Sequence, residues 1–210
     1  MMHRSDDHNP IEHFQKWFFE VDKSYPEDET NAMILSTKGL DGFPKSRVVL
    51  LKKFTWEGFL FFTNYNSEKG KAIANDSKVS LLFNWVNSKR QILILGRAEK
   101  LSENISEGYF ESRPEGSKLS AWVSNQSEVI VSRNVLEERL KKYRIQFRNK
   151  EITKPDYWGG YIVKPHYLKF MKQDLIADVT SIVNYKITLD HSWEKEEWFR
   201  KDVEFSGYKK

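Results

Sequence analysis

The chain has 210 residues, with 34 basic and 30 acidic side chains, a formal charge of +4 and no cysteine. A chain of this length buries roughly 70% of its unfolded surface, and seven Trp, fourteen Phe and nine Tyr exclude a disordered chain. The missing cysteine excludes disulfides, a thiol nucleophile, Cys-ligated zinc and iron–sulfur clusters, and a surplus of four charges, evenly mixed, is too slight for a polyanion-binding face.

The opening MMHRSDDHNP is polar and charged, unlike a signal peptide. The longest purely aliphatic runs, 48–51 and 92–95, are four residues each, far short of a bilayer span. The expectation is a cytoplasmic protein with neither a membrane nor a nucleic-acid partner. The first element is a helix: Asn9 caps, Pro10 suits the first helical position, and Ile11, Phe14, Trp17, Phe18 and Val21 form one apolar stripe. After the loop 24–30 the period becomes that of strands, in AMILSTKG, KSRVVLLKKF and GFLFFTN, with Asp41-Gly42 as a turn signal. Residues 67–75 predict a short helix opened by Ser67, and two more strands follow, SKVSLLFNWV and RQILILGRAEKL, turning at Asn87 and Ser88. From 103 the chain turns helical with a break at Arg113-Pro114, and 133–149 predicts an amphipathic helix striped by Leu136, Leu140, Tyr143 and Phe147. Strand character resumes in YWGGYIVKP, HYLKFMKQ and SIVNYKITL. No repeat or linker interrupts the chain, so the expected class is α+β, mainly β: one domain over 1–210, an antiparallel barrel or sandwich with surrounding helices.

No dinucleotide fingerprint, Walker loop, HExxH or GxSxG occurs. Of the five His, His3, His8 and His13 lie in or near the polar N-terminus and read as solvated, and no metal site is expected. The positive signals bind anions. Arg47 and Lys52 bracket Val-Val-Leu-Leu on one predicted buried strand, where five-residue spacing turns them to opposite faces. Thr63, Ser67 and Lys69 fall where a strand ends and a helix begins, which suits a phosphate, although the local pattern reads more readily as an ordinary Ser cap with an exposed Lys. Tyr109, Arg113 and Ser117 recur four apart and would share a helical face offering a phenol, a guanidinium and a hydroxyl, unless Pro114 and Gly116 break that helix. Two phosphate sites, one for a cofactor and one for a small ligand, fit these signals.

Taken together, RVVLLK at 47–52, FFTNYNSEKG at 61–70, Arg90-Gln91, SRPEGS at 112–117, AWVSNQS at 121–127 and WGGY at 158–161 resemble the pyridoxine/pyridoxamine 5′-phosphate oxidase family, from about Asn9 to Trp193. The resemblance implies an FMN-binding split β-barrel and a homodimer with flavin sites at its interface, with 157–193 as the dimerisation and active-site segment. It implies that FMN is held by Arg47, Val48, Val49, Leu50, Leu51 and Lys52. Phe62, Thr63 and Lys69 would join them, with Gln91, Gln126 and Ser127 arriving from the partner subunit. Lys52, Tyr109, Arg113 and Ser117 would hold the phosphate of a pyridine substrate, oxidised to pyridoxal 5′-phosphate with oxygen and release of hydrogen peroxide. The flavin carries the redox chemistry, so no catalytic side chain is implied. Where the family has a Trp and an Arg-Leu-His-Asp-Arg signature, this chain has Met171 and then Ala177, Val179 and Ser181 at the first Arg, the His and the last Arg. Glu68 stands where a phosphate-facing Arg is common in the family. These departures make a second expectation: a member with altered substrate or without catalysis that binds flavin or pyridoxal phosphate.

Overall fold

The computed structural model describes residues 9–124 and 132–201. Helix α1 spans Pro10–Ser24; Asn9 Oδ1 accepts from the Ile11 N–H at 2.9 Å, and Pro10 sits at the first helical position, where its missing donor costs nothing. Strands β1 (Ala32–Lys38), β2 (Pro44–Leu50), β3 (Lys53–Thr55) and β4 (Gly58–Asn64) follow, then α2 (Glu68–Asn75), β5 (Lys78–Trp85) and β6 (Arg90–Lys100). Three helices come next, α3 (Glu103–Glu111), α4 (Glu115–Val123) and α5 (Arg133–Gln146), before β7 (Trp158–Asp174), β8 (Val179–Ile187) and β9 (Trp193–Lys201).

Among the described residues the nine strands form one antiparallel sheet, ordered β2-β1-β5-β6-β7-β4-β3, with β8 and β9 branching from β7. Strands β2 and β3 stand at opposite ends of that path, yet only Leu51 and Lys52 separate them in the chain. Two residues reach about 7 Å, so the sheet must curl until its edges approach. The Lys52 N–H donates to Leu60 O at 2.8 Å and marks the seam. Strand β7 forks the sheet, pairing β4 through 158–163 and β8 through 167–174 while β6 runs along its other side. The result is a mainly-β half-barrel with five described helices, and no described helix is long and apolar enough to cross a membrane.

Helix α1 fills the concave face. Phe14 is fully buried and meets Phe54, Phe59 and Phe83 edge-on with centroids 4.8–5.1 Å apart. A second, smaller cluster gathers Phe110, Leu119, Val123, Ile152 and Trp158 under α3 and α4, with the α5 stripe Leu136, Leu140, Tyr143 and Phe147 leaning on it as expected.

Several expectations change. β2 is an outer strand rather than a buried one, with Val48 67% exposed. YWGGYIVKP and HYLKFMKQ are one continuous strand, because Pro165 sits where the β6–β7 register shifts beside Leu95/Gly96 and no ladder donor is needed. β9 escapes the hydrophobic pattern because six of its nine residues are charged. His13 is not solvated. Its ring stacks on Phe170 at 4.0 Å and 6°, and Nδ1 lies 3.2 Å from the Tyr185 hydroxyl.

Burial, helped by the nearby Lys195 and Lys16, lowers the His13 pKa from 6.5 to about 4. The unfolded chain therefore binds this proton more readily than the folded one between those values, and stability is lost as pH falls through them. In urea titrations the advantage of the parent over His13→Asn should shrink steadily from pH 6.5 to 4. A difference that stays flat across that window would contradict the burial assigned to the ring.

Candidate functional site

Three groups of the expected residues emerge, two around the barrel seam and one on the convex face. The first is the turn from β4 into α2. Ser67 Oγ donates to Asn64 O at 2.6 Å and accepts from the Gly70 N–H at 3.3 Å, while Asn64 Oδ1 accepts from the Asn66 N–H at 2.7 Å. A Cβ at Gly70 would lie 2.2 Å from Tyr65 O, so this tight entry needs glycine. Lys69 Nζ reaches back to Ser67 Oγ at 3.4 Å. Arg47 leans onto the same end from the concave side of β2, donating to Thr37 Oγ1 at 2.7 Å and Leu35 O at 3.4 Å. Burial, and then the charge of Arg47, holds the Lys69 ammonium below its ordinary pKa; burial does the same to the Arg47 guanidinium. Two desolvated cations facing each other at a helix N-terminus suit a dianionic phosphate. Glu68 turns away to Lys45, its Oε1 accepting from Nζ at 2.6 Å, and its Oε2 stands 3.8 Å from Arg47 Nη2. Lys45 also pairs with Asp41 at 3.0 Å.

Lys52 lies beyond the end of β2, so strand alternation does not set its direction, and its side chain is exposed. Its backbone bonds Leu60, two residues before Phe62. There the second group begins. The Tyr109 ring stacks on Phe62 at 3.9 Å and lies parallel to Trp158 at 6.3 Å. The guanidinium of Arg113 covers Trp158 at 4.7 Å and Phe110 at 5.5 Å. Its buried Nη1 has no hydrogen-bond partner among the described residues, a costly state for a cation that a bound anion would relieve. Tyr109, Arg113 and Ser117 do not share one helix: α3 ends at Glu111, Arg113 sits in the turn, and Ser117 occupies the first turn of α4. The Trp-Gly-Gly-Tyr run gains a physical reason, since a Cβ at Gly160 would press within 2.8 Å of the Phe62 ring and one at Gly159 within 2.3 Å of the Tyr65 hydroxyl. Asn64 and Trp158, which residue patterns did not single out as binding groups, line a 180 Å3 cavity with Arg113. A Trp opening a strand carries no signal of that role by itself.

The third group stands apart. Val48, Ile34, Leu82 and Leu93 are cross-strand neighbours on the convex face, none fully buried, and Gln91 shares that face through strand alternation. Gln91 donates to Asn84 Oδ1 at 2.9 Å and borders a cavity of about 370 Å3 with Met171, Thr180, Lys89, Arg90 and Arg200. Its described lining holds three cations and no carboxylate. Arg200 belongs to β9 and so was invisible to the strand pattern, while Ala177, Val179 and Ser181 do not line this cavity. Gln126 and Ser127 lie outside the described residues.

The family model described as pyridoxamine 5′-phosphate oxidase matches residues 24–147. A pyridoxine/pyridoxamine 5′-phosphate oxidase of Flavobacterium psychrophilum is 53% identical over 188 residues, covering 90% of this chain and 87% of that protein. Its counterpart from a Nostoc species is 46% identical over the same shares of both chains. In fold, the chain resembles PhzG from Burkholderia lata, crystallised with tetrahydrophenazine-1-carboxylic acid, at a TM-score of 0.84, 22% identity and coverage of 95% and 98%. It also resembles a pyridoxamine 5′-phosphate oxidase-related FMN-binding protein of Nostoc punctiforme at 0.71, 13% identity and coverage of 90% and 97%. With a family match across more than half its length and relatives about half identical over nine-tenths of it, this chain belongs to the pyridoxamine 5′-phosphate oxidase family.

Proposed function

We propose that this protein is an FMN-dependent oxidase that converts pyridoxine 5′-phosphate, or pyridoxamine 5′-phosphate with water and loss of ammonia, to pyridoxal 5′-phosphate with oxygen, releasing hydrogen peroxide. The observation that carries this reading is the Arg113 guanidinium, held over Trp158 with a buried N–H that has no acceptor among the described residues. Tyr109 stands beside it, and Ser117, in the first turn of α4, and Lys52, at the seam, would add a hydroxyl and a further cation to a phosphate grip. The Arg47–Lys69 end fits the second phosphate, that of FMN, because both cations are desolvated and one helix N-terminus faces the same point. Val48, Val49, Leu50 and Leu51 carry Arg47 and Lys52 along that edge, and Phe62 and Thr63 continue the lining from β4. When bound, FMN supplies the redox chemistry, taking a hydride from the substrate and returning the electrons to oxygen. The chain itself binds and orients.

Arg47 shares the concave face with buried Leu35, whereas Gln91 shares the convex face with Leu93. Both cannot reach one flavin from a single copy. A homodimer resolves this, with the convex row Val48, Ile34, Leu82 and Leu93 pressed against a second copy and the Gln91 cavity completing the partner's flavin site. The second reading, a flavin- or pyridoxal phosphate-binding member with altered or no catalysis, is favoured by Ala177, which lies in the exposed turn after β7 and brings neither charge nor a hydrogen-bonding side chain.

Oxygen uptake with pyridoxamine 5′-phosphate by the purified yellow protein separates the two. Turnover supports the oxidase, while a flavin spectrum without turnover removes it in favour of the binding protein. Replacing Arg113 by Ala should raise KM for the phosphorylated substrate by roughly 10- to 100-fold, the worth of one charge-assisted contact, and leave the FMN affinity unchanged; a flat KM would refute the phosphate grip. For the dimer, Lys69→Glu and Gln91→Glu chains should each bind FMN poorly alone. Co-expressed, they should recover tight binding at one site per hybrid pair, and no recovery would refute the shared site.

A further inference from the structure

Glu68 places a carboxylate on the first residue of α2, beside the two cations that face the flavin phosphate. An uncompensated acid there would repel a dianion and offset the field of the helix N-terminus. The structure shows how the charge is absorbed. Lys45, on the same face of β2 as Arg47, reaches across to α2 and binds Glu68 at 2.6 Å, and it holds Asp41 at 3.0 Å on its other side. The contact raises the Lys45 pKa and lowers that of Glu68, so both stay charged near neutral pH. Among the described residues of this cluster, Lys45, Arg47 and Lys69 stand against Asp41 and Glu68, and Lys45 supplies the positive charge nearest to Glu68. The same contact ties β2 to α2 across the barrel, and Glu68 Oε2 stands 3.8 Å from Arg47. Arg47, half-buried and anchored on Thr37, is thus steadied from both sides without its charge being consumed.

Building on the FMN reading above, we propose that Lys45 is a positioning residue of the phosphate site: by sharing the Glu68 carboxylate with Arg47, it keeps that acid from being balanced by Arg47 alone and so leaves the Arg47 charge to the phosphate of the flavin. Lys45 itself need not touch the ligand. The pair Lys45–Glu68 then acts as one unit, and Glu68 without Lys45 is a defect.

FMN and riboflavin, which lacks the phosphate, distinguish this from a general loss of structure. Titrations of the flavin-free protein followed by flavin fluorescence should give an FMN Kd about tenfold weaker for Lys45→Gln, as expected when a nearby carboxylate loses its lysine and leans on Arg47 instead, with riboflavin binding unchanged. Lys45→Arg keeps the charge and should stay within about twofold of the parent, given that an exposed pair tolerates a change of headgroup. The double variant Lys45→Gln with Glu68→Gln should return the FMN Kd to within about twofold as well, since the acid and its partner vanish together. The inference is overturned if Lys45→Gln leaves FMN affinity intact, if riboflavin weakens in step with FMN, or if the double variant stays as weak as the single one. A parent protein that binds neither flavin overturns the FMN reading itself, and this inference with it. Tight FMN binding by the parent with no effect at Lys45 overturns only the role given to Lys45.

Discussion

Leu51 and Lys52 impose the constraint on which the rest of the structure depends. They join the two outermost strands of the main sheet path, β2 and β3, across a gap that two residues can bridge only if the sheet closes on itself. Closure creates a concave interior that needs filling, and α1 fills it with Phe14, Trp17 and Val21. Closure also brings the last turn of β4 and the start of α2 beside β2. Arg47 and Lys69 are distant in sequence but meet there, and Lys52 lies at the seam between them and the aromatic stack.

The site obtains its character from partial burial. In water, Arg47, Lys69 and Arg113 would each be fully hydrated and indifferent to one another. Here burial lowers the pKa of all three, and Arg113 keeps a buried N–H without an acceptor among the described residues. Such cations are poised for an anion, because desolvation already suffered in the folded state is not incurred again on binding. The aromatic rings serve the same end. Trp158 lies under Arg113 and parallel to Tyr109, so the guanidinium is fixed by stacking and leaves its edge to a ligand.

Local chemistry was legible wherever a residue acts on its own neighbours. Asn9 caps α1 and Ser67 caps α2 as their positions predict, because capping is settled within three residues. β1, β5 and β6 were readable because buried and less buried residues alternate along them, and β4 because it carries one continuous apolar run. β9 was hidden because both its faces are largely exposed and charged, leaving no alternation to detect. His13 looked solvated in a polar stretch, yet the helix turns it onto Phe170 and Tyr185, residues more than 150 positions away. Tyr109, Arg113 and Ser117 would share a face only on an unbroken helix, and the break at Pro114 leaves them on two, since α3 ends at Glu111 and α4 begins at Glu115.

The sequence by itself determined the α+β class, most of the elements with their caps, and, through its motifs, the resemblance that the family match bears out. Those properties reside in spacing, propensity and residue type, all local. Tertiary structure decided which faces meet. It placed Gln91 and Arg47 on opposite sides of one sheet, set Arg200 beside Gln91, and turned Glu68 to Lys45. Each of these relations depends on how strands register and where the sheet closes, and a two-residue link between distant edges is not a signal that any local window contains.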